Sequence, residues 1–442
     1  MSTTESTTEQ RELSIDTIRF SAGYDEKKHN YAVSPPIYQT TSFDFGGVER
    51  ANRLTSFKEV GNIYSRTGNP TVGILEEKLR ILEGGSGAVA CASGMSAISL
   101  SILNVAEGGG RILTTPYLYG GTKDSFKKVF PKFGIHFDYA KNILNPEKLG
   151  EEIKEDTKAI YLETISNPNG FLLDVDAISA VAHEHGIPVI IDNTVATPYI
   201  YKPLEHGADV VVYSATKGLN GQANGLAGII IEGGTFDYNT DKFAHFREKY
   251  YTLRDRDTEE ERSFLDVFPD APFTFRTRFN YVSFFGASLS PYNAYMTLLG
   301  IETLTERLGK ESKNALKIAQ FLETHQGVEW VRYSGLESSP YYDLAKRDYP
   351  NGVGSLISFG FRGTNDQIET FIDALEIFHY HVNLGDTRSL ITNSPKNTHG
   401  ELTAEEKEIA DIPLNLIRLS IGLENVDDLI SDLNQAFVKA LN

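Results

Sequence analysis

Short apolar runs alternate with amphipathic segments from about Gly84 to Gly233, and this alternation constrains the fold more than any other feature. The runs are as long as strands and too apolar to have one face in water. The segments between them, such as residues 175–185, repeat apolar residues at helical spacing. We therefore predict an α/β fold in which helices cover a mostly parallel sheet. The predicted strands are residues 88–92, 111–115, 135–140, 159–164, 188–192, 210–213 and 226–231.

The whole chain of 442 residues is too long for one ordinary domain. We predict three parts, residues 1–63, 64–288 and 289–442, and expect the first ten residues to form a disordered polar tail. Dense charge and aromatic residues indicate an insertion at about 235–285, on the surface or at an interface. The last part is predicted to be a smaller α+β domain. Its expected elements are a long helix at 291–325, strands at 328–333, 356–361 and 416–421, and helices at 364–375 and 425–441.

Charge and cysteine content exclude several classes of partner. A formal net charge of −18 argues against nucleic acids and anionic membranes, which would repel the chain. The single cysteine, Cys91, cannot form an internal disulfide or build a zinc site alone, so a reducing compartment, by default the cytoplasm, is expected. His183 and His185 point to different faces of a predicted helix and indicate solvated surface, so we predict no metal site. The sequence shows no signal-like start and no apolar run of membrane length.

One glycine pattern is misleading. Gly85, Gly87 and Ala90 match the relaxed dinucleotide-binding pattern. That pattern must follow a strand and open a helix, whereas these residues run into a strand. We therefore reject a dinucleotide site here.

Three polar sites follow predicted strands. Residues 93–95 (Ser-Gly-Met) lie where a predicted strand ends and a helix begins. They could bind a phosphate, or Ser93 could simply cap the helix. Asp192 ends a buried strand, where a carboxylate needs a positive partner such as a protonated ring nitrogen. Lys217 follows another buried strand and has two hydroxyls beside it, those of Ser214 and Thr216, and burial there could make it a nucleophile or base. Together these sites predict pyridoxal phosphate, which carries a phosphate, a basic ring nitrogen and an aldehyde.

The sequence resembles the Cys/Met-metabolism family of pyridoxal-phosphate enzymes, and within it the O-acetylhomoserine sulfhydrylases, over nearly the whole chain after the tail. The long segment before residue 286 is similar to that branch as well. The motifs that carry the resemblance are residues 36–42 (PIYQTTS), 64–71 (YSRTGNPT), 93–95 (SGM), 119–122 (YGGT), 167–170 (NPNG), 192–194 (DNT), 214–217 (SATK), 286–291 (GASLSP), 383–386 (NLGD) and 418–420 (RLS).

The resemblance implies the fold of the aspartate aminotransferase type (fold type I), with an N-terminal arm that contacts a neighbouring subunit, in a homo-oligomer expected to be a tetramer. It implies that Lys217 holds the cofactor as a Schiff base and moves protons, that Asp192 pairs with the ring nitrogen, and that Tyr119 stacks on the ring. Asn167 is expected near the phenolic oxygen of the cofactor. The expected phosphate ligands are Gly94, Met95, Ser214 and Thr216, joined by Tyr64 and Arg66 of a neighbouring subunit.

For the substrate, the resemblance implies that Arg418 binds the carboxylate, with Asn383 beside it and with Tyr64 and Thr398 close by. The implied reaction is γ-replacement. Acetate leaves Cγ of O-acetylhomoserine and sulfide or a small thiol adds, which gives homocysteine or methionine.

Two segments depart from the family pattern, and the choice of substrates therefore stays open. Residues 218–222 and 393–397 differ from the usual loops, so the acyl group and the preferred thiol stay undetermined. Cystathionine γ-synthase and methionine or cystathionine γ-lyase are the alternative activities. Gly121, where lyases acting on methionine tend to have cysteine, and residues 383–386, where cystathionine enzymes tend to read Ser-Leu-Gly-Gly, favour the sulfhydrylase. A cofactor-binding regulator without turnover is a remote alternative.

Overall fold

The computed structural model describes residues 13–442, so the predicted disordered tail lies outside the described residues. Two sheets organise the chain. The seven strands of the first sheet run in the order β1-β7-β6-β5-β4-β2-β3, and β7 is antiparallel to both of its neighbours while the other pairs are parallel. These strands are β1 (Gly87–Cys91), β2 (Gly110–Thr114), β3 (Ile135–Tyr139), β4 (Thr157–Glu163), β5 (Val189–Asp192), β6 (Val210–Ser214) and β7 (Gly228–Glu232).

Alternate residues of the central strands enter two separate cores. In β6, Val211 and Tyr213 belong to one core while Val210 and Val212 belong to the other. Both faces of the sheet are therefore covered, as the continuous apolar runs require. The prediction of a mostly parallel sheet under helices is confirmed.

Helices α1 and α2 precede the sheet, α3–α8 alternate with its strands, and α9–α11 follow β7. The bounds are α1 (Ile15–Ser21), α2 (Val48–Thr55), α3 (Pro70–Glu83), α4 (Gly94–Val105), α5 (Gly120–Lys128), α6 (Pro146–Leu149), α7 (Val175–Glu184), α8 (Thr197–Ile200), α9 (Phe264–Val267), α10 (Pro272–Arg276) and α11 (Ser283–Phe285).

The insertion at 235–285 divides its residues between the protein interior and the surface. Tyr238, Phe243, Phe246 and Phe273 are buried in the same core as Val210 and Val212 of β6. Most of the charged residues at 255–262 are at least partly exposed. The aromatic residues thus attach this segment to the sheet, and the charges face outward.

The second sheet has five strands in the order β10-β11-β12-β9-β8. Its strands are β8 (Val328–Arg332), β9 (Leu356–Phe361), β10 (His379–Tyr380), β11 (Leu390–Asn393) and β12 (Leu416–Ser420). The helices of this part are α12 (Pro291–Ile301), α13 (Leu304–Thr324), α14 (Tyr342–Asp348), α15 (Asn365–Ala374), α16 (Ala404–Ile409) and α17 (Val426–Leu441).

The prediction of a single long helix at 291–325 is wrong, because two residues that belong to neither helix separate α12 from α13. The carbonyl of Gly300 accepts a hydrogen bond from Nη2 of Arg307 at 2.9 Å and another from the N–H of Thr303 at 3.2 Å. An arginine side chain thus binds a carbonyl at the end of α12, and the backbone turns more tightly there before α13 begins.

None of the helices between residues 13 and 442 combines the length and the apolar character that crossing a membrane requires.

Candidate active site

A cavity of about 220 Å³ lies at the carboxyl ends of β4, β5 and β6, beside the N-terminus of α4. We call it the active-site cavity. The carboxyl ends of parallel strands meet at one edge of the sheet, which brings together side chains that are distant in sequence. Among the residues predicted for the site, those that line the cavity are Gly94, Met95, Tyr119, Asn167, Asp192, Ser214, Thr216, Lys217, Asn383, Thr398 and Arg418.

The anion-binding end of the cavity is built from α4 and β6. Ser93 caps α4 by accepting a hydrogen bond from the N–H of Ser96, so the capping interpretation is correct. The first N–H groups of the same helix have no acceptor within the helix, and two of the residues that carry them, Gly94 and Met95, line the cavity. A Cβ on Gly94 would lie 2.4 Å from Cβ of Ser214, so only glycine permits this close approach. Capping and phosphate binding are therefore compatible.

Two buried carboxyl groups lie side by side at the strand ends. Glu163 and Asp192 are paired in the register of β4 and β5, and both line the cavity. Asp192 accepts hydrogen bonds from the N–H of Thr194 at 3.0 Å and from the hydroxyl of Tyr161 at 3.3 Å. Burial raises the pKa of Asp192, and burial together with the charge of Asp192 raises the pKa of Glu163 well above its usual range. A cation placed here would relieve this repulsion.

Glu163 was missed in the sequence. Its carboxylate accepts the N–H of Tyr119 at 2.6 Å and the N–H of Asn167 at 3.1 Å, so it fixes two segments that line the cavity. The signal was present, since Glu163 ends an apolar strand in the same way as Asp192.

Lys217 enters the cavity from the segment after β6. Its Nζ donates a hydrogen bond to Oδ1 of Asn383 at 2.5 Å. Burial, assisted by the positive charge of Arg418, lowers the pKa of Lys217 to about 8. Roughly a tenth of the amine is therefore neutral at pH 7, far more than for an ordinary lysine, and the neutral form is what the role of nucleophile or base requires.

Arg418 reaches the opposite wall from β12 and is only 2 % exposed. Its Nη1 donates to Oδ1 of Asn167 at 2.9 Å, and its Nη2 donates to the carbonyl of Asn383 at 2.7 Å. Nε has no hydrogen-bond partner. No carboxylate between residues 13 and 442 forms an ion pair with this guanidinium, so it is suited to an incoming anion.

Tyr119 covers the cavity from the start of α5. A Cβ on Gly120 would lie 2.2 Å from the carbonyl oxygen of Thr398, so α5 begins in direct contact with the loop that carries Thr398. The next residue, Gly121, lies under the ring of Tyr119, and a Cβ there would approach Cε1 of that ring to 2.6 Å. The position of the ring thus depends on two successive glycines.

Tyr64 and Arg66 do not line the cavity of their own chain. Nη1 of Arg66 donates to the carbonyl of Ser283 at 2.7 Å, and its guanidinium lies 5.4 Å from the ring of Tyr64. Tyr64 is 41 % exposed. The predicted role in a neighbouring subunit stays a prediction.

The residues that form the cavity fit pyridoxal phosphate. The N-terminus of α4 and the hydroxyls of Ser214 and Thr216 suit its phosphate, and the buried carboxyl pair suits a protonated ring nitrogen. Lys217, with a lowered pKa, suits the aldehyde.

Two sequence interpretations outside the cavity can also be compared with the structure. Gly87 opens β1 rather than a helix, which agrees with the rejected dinucleotide site. One group of potential metal ligands exists among the described residues, Asp176, His206 and Asp348. Arg347 already forms an ion pair with Asp348 there, so positive charge is supplied by the chain itself.

Comparison with known proteins identifies a family that uses pyridoxal phosphate. Residues 16–438 match the model of the Cys/Met metabolism PLP-dependent enzymes. An O-acetyl-L-homoserine sulfhydrylase of Leptospira meyeri is 39% identical over 96% of this chain and 97% of its own length. A homocysteine synthase of Schizosaccharomyces pombe is 36% identical over 96% of this chain and 97% of its own length.

Solved structures lead to the same family. A Campylobacter jejuni protein that carries a pyridoxyl-lysine monophosphate superimposes with a TM-score of 0.90 at 35% identity, over 96% of this chain and 100% of that one. A cystathionine γ-synthase of Xanthomonas oryzae, solved with aminoacrylate and cysteine, gives a TM-score of 0.83 at 29% identity over 98% of this chain and 99% of that one. The chain, with its cavity suited to phosphate, ring nitrogen and aldehyde, belongs to the Cys/Met metabolism family of pyridoxal-phosphate-dependent enzymes.

Proposed function

We propose that the chain catalyses γ-replacement on O-acetyl-L-homoserine with sulfide or a small thiol, giving homocysteine or methionine and acetate. One observation carries the proposal. The same cavity holds Lys217, whose amine has a lowered pKa, and Arg418, which is buried and forms no ion pair within residues 13–442. Relatives named O-acetyl-L-homoserine sulfhydrylase and homocysteine synthase, similar over nearly the full chain, supply the reaction class.

The main polar residues of the cavity then have defined tasks. Pyridoxal phosphate, when bound, supplies the electron sink that makes a proton on an amino-acid carbon acidic. Arg418 binds the substrate carboxylate through its two terminal nitrogens. Lys217, once released from the aldehyde, moves protons with its Nζ, and Asn383 holds that nitrogen on the side of Arg418.

Other residues that line the cavity hold the cofactor. Residues 94–95 and the hydroxyls of Ser214 and Thr216 bind the phosphate, Asp192 receives the ring nitrogen, and Tyr119 stacks on the ring. Apolar side chains, including Ile98 and Leu384, close part of the cavity and reduce the access of water.

A γ-lyase or a cystathionine γ-synthase is the second candidate, because the Xanthomonas oryzae enzyme superimposes over nearly the whole chain. Two residues distinguish the candidates. Gly121 leaves room for the present position of the Tyr119 ring, whereas a cysteine there would displace it. Asn383 supplies the oxygen that binds Lys217, and a serine would not reach as far. Both features favour the sulfhydrylase, and residues 218–222 and 393–397 are proposed to set the acyl group and the thiol.

We further propose a homotetramer, in the cytoplasm, whose active sites are completed by Tyr64 and Arg66 of a neighbouring subunit. The N-terminal segment exposes apolar side chains that a partner could cover, among them Val33, Val48 and Val60. Residues 1–63, 64–288 and 289–442 would then act as partner-contacting arm, cofactor domain and C-terminal domain.

A product assay tests the proposed reaction. The purified protein, loaded with pyridoxal phosphate, is offered O-acetyl-, O-succinyl- and O-phosphohomoserine, each with sulfide, methanethiol and cysteine, and the products are identified by mass. We expect homocysteine from the acetyl ester and sulfide, with the Lys217→Ala protein as the inactive control. Release of α-ketobutyrate as the main product would identify a lyase, and no turnover with any pair would identify a non-catalytic regulator.

A further inference from the structure

A second cavity, of about 900 Å³, opens at the edge of the first sheet and shares no lining residue with the active-site cavity. It lies between the loop that follows β2, helix α5, the edge strand β3 and helix α16. We call it the edge cavity.

Aromatic rings form much of its wall. The rings of Phe126 and Phe137 are stacked with their centroids 3.7 Å apart and only 12° between their planes. Tyr117, Tyr139 and the 55 % exposed Ile409 complete this apolar lining. An apolar surface of this size, open to solvent, suits the body of a small organic molecule.

Two lysines that line the edge cavity form neither a hydrogen bond nor an ion pair through Nζ within residues 13–442. Lys123 is only 7 % exposed, and its Nζ makes no hydrogen bond and no ion pair with any residue from 13 to 442. The ring of Tyr139 has its centroid 5.9 Å from that nitrogen, and Glu406 acts on Lys123 by its charge without forming an ion pair with it. Nζ of Lys141, exposed at the same cavity, is likewise unpaired within the described chain.

The other cations of the edge cavity are already neutralised. Arg111 donates to Oδ1 of Asp138 at 2.9 Å, and Lys127 pairs with Glu406 at 2.5 Å. Lys123 and Lys141 differ from these cations because no carboxylate of residues 13–442 forms an ion pair with either Nζ, and Glu406 acts on Lys123 only by its charge at a longer distance. An anion bound in the edge cavity would therefore make the direct ion pair that Lys123 lacks.

We propose that the edge cavity binds a small organic anion, with an apolar ring-sized body against the aromatic wall and one acid group on Nζ of Lys123. The occupant is small because, within residues 13–442, the cavity offers two lysines without an ion pair, and the chain as a whole carries a net charge of −18, which repels polyanions. The site does not rest on the proposed function, since it shares no residue with the active site.

The test uses the holoenzyme and two fluorescent probes of similar shape, anilinonaphthalene sulfonate, which is an anion, and phenylnaphthylamine, which is neutral. We expect saturable binding of the sulfonate to the wild-type protein. Lys123→Met should weaken it by roughly 10- to 100-fold, the effect of losing one charge-assisted hydrogen bond. The neutral probe should bind both proteins within about threefold, because the apolar wall is unchanged.

Two further variants keep the result interpretable. Lys123→Arg retains the charge and should bind the sulfonate nearly as well as the wild type. Lys132→Met removes an exposed lysine that does not line the cavity and should have no effect. Thermal unfolding and cofactor absorbance confirm that each variant is folded and loaded.

Three outcomes would overturn the site. The first is no saturable sulfonate binding to the wild-type holoenzyme. The second is equal sulfonate affinity in the wild-type and Lys123→Met proteins. The third is an equal loss of affinity for both probes in Lys123→Met, which would indicate damage to the wall rather than loss of an anion partner.

Discussion

Replacing Arg418 is the sharpest test of the proposed substrate site. Arg418→Met removes the charge and the hydrogen-bond donors while keeping an unbranched side chain in the buried position. Arg418→Lys keeps a charge but loses the planar fork. Since the guanidinium is buried and unpaired by any carboxylate among residues 13–442, the two variants separate charge from geometry.

The expected size of the effect follows from the contacts. A hydrogen bond to a charged group contributes about 1.5–3 kcal/mol, and a carboxylate held by both terminal nitrogens makes two of them. Loss of both in Arg418→Met should lower kcat/KM by roughly 10²- to 10⁴-fold, and loss of one in Arg418→Lys by roughly 10- to 100-fold. Because the carboxylate is bound before and during the reaction, most of the loss should appear in KM.

Steady-state kinetics with O-acetylhomoserine and sulfide measure both parameters, and thermal unfolding shows whether each variant is folded. Asn167 loses a donor in Arg418→Met, so a modest fall in melting temperature is expected. A Met variant that is folded and within about fivefold of wild-type kcat/KM would refute the carboxylate role. A loss confined to kcat would place Arg418 in the chemical step instead.

Four further expectations follow from the cavity. The holoenzyme should absorb visible light, and Lys217→Ala should lose this band and turnover together; retained multiple turnover would exclude Lys217. Asp192→Asn should lower turnover roughly a hundredfold or more at a nearly unchanged folded yield, and near-normal turnover would contradict its pairing with the ring. Burial lowers the pKa of Lys217 to about 8, so the rate at which the apoprotein binds pyridoxal phosphate should rise with pH up to about 8 and then level off. A rate that keeps rising up to the ordinary pKa of lysine would contradict the lowered pKa. Mixing inactive Lys217→Ala and Arg66→Ala proteins under subunit exchange should restore some activity, and exchange shown by mass without activity would reject the shared site.

The first sheet was predictable because a strand that is buried on both faces leaves a continuous apolar run. All of its strands begin and end within two residues of the predicted bounds. The second sheet was less visible. β10 has only two residues, both exposed, and β11 has only four, all buried, so both strands are too short to produce a recognisable apolar period. The break between α12 and α13 depends on Arg307 reaching Gly300, a contact that apolar periodicity does not encode.

The candidate active site was predictable from residue patterns only where its residues follow strands of the first sheet. Asp192 and Lys217 stand directly at the ends of apolar strands, so their proximity follows from the topology of a parallel sheet. Arg418 and Asn383 reach the cavity from the second sheet and its loops, and only the family resemblance indicated them. The edge cavity was not predicted, since the isolation of Lys123 becomes apparent only when α5, β3 and α16 are packed together.

The paired carboxyls explain why the cavity suits a cationic ring. Glu163 and Asp192 are held by hydrogen bonds from uncharged donors, the backbone N–H groups of Tyr119, Asn167 and Thr194 among them, and by no cation within residues 13–442. Neutral donors stabilise an ionised carboxylate only in part, so burial keeps the pKa of both groups raised. A protonated pyridine nitrogen against Asp192 would lower the cost of ionising both groups. Its binding would therefore also favour the charged form of Glu163 and strengthen the hydrogen bonds from the N–H groups of Tyr119 and Asn167.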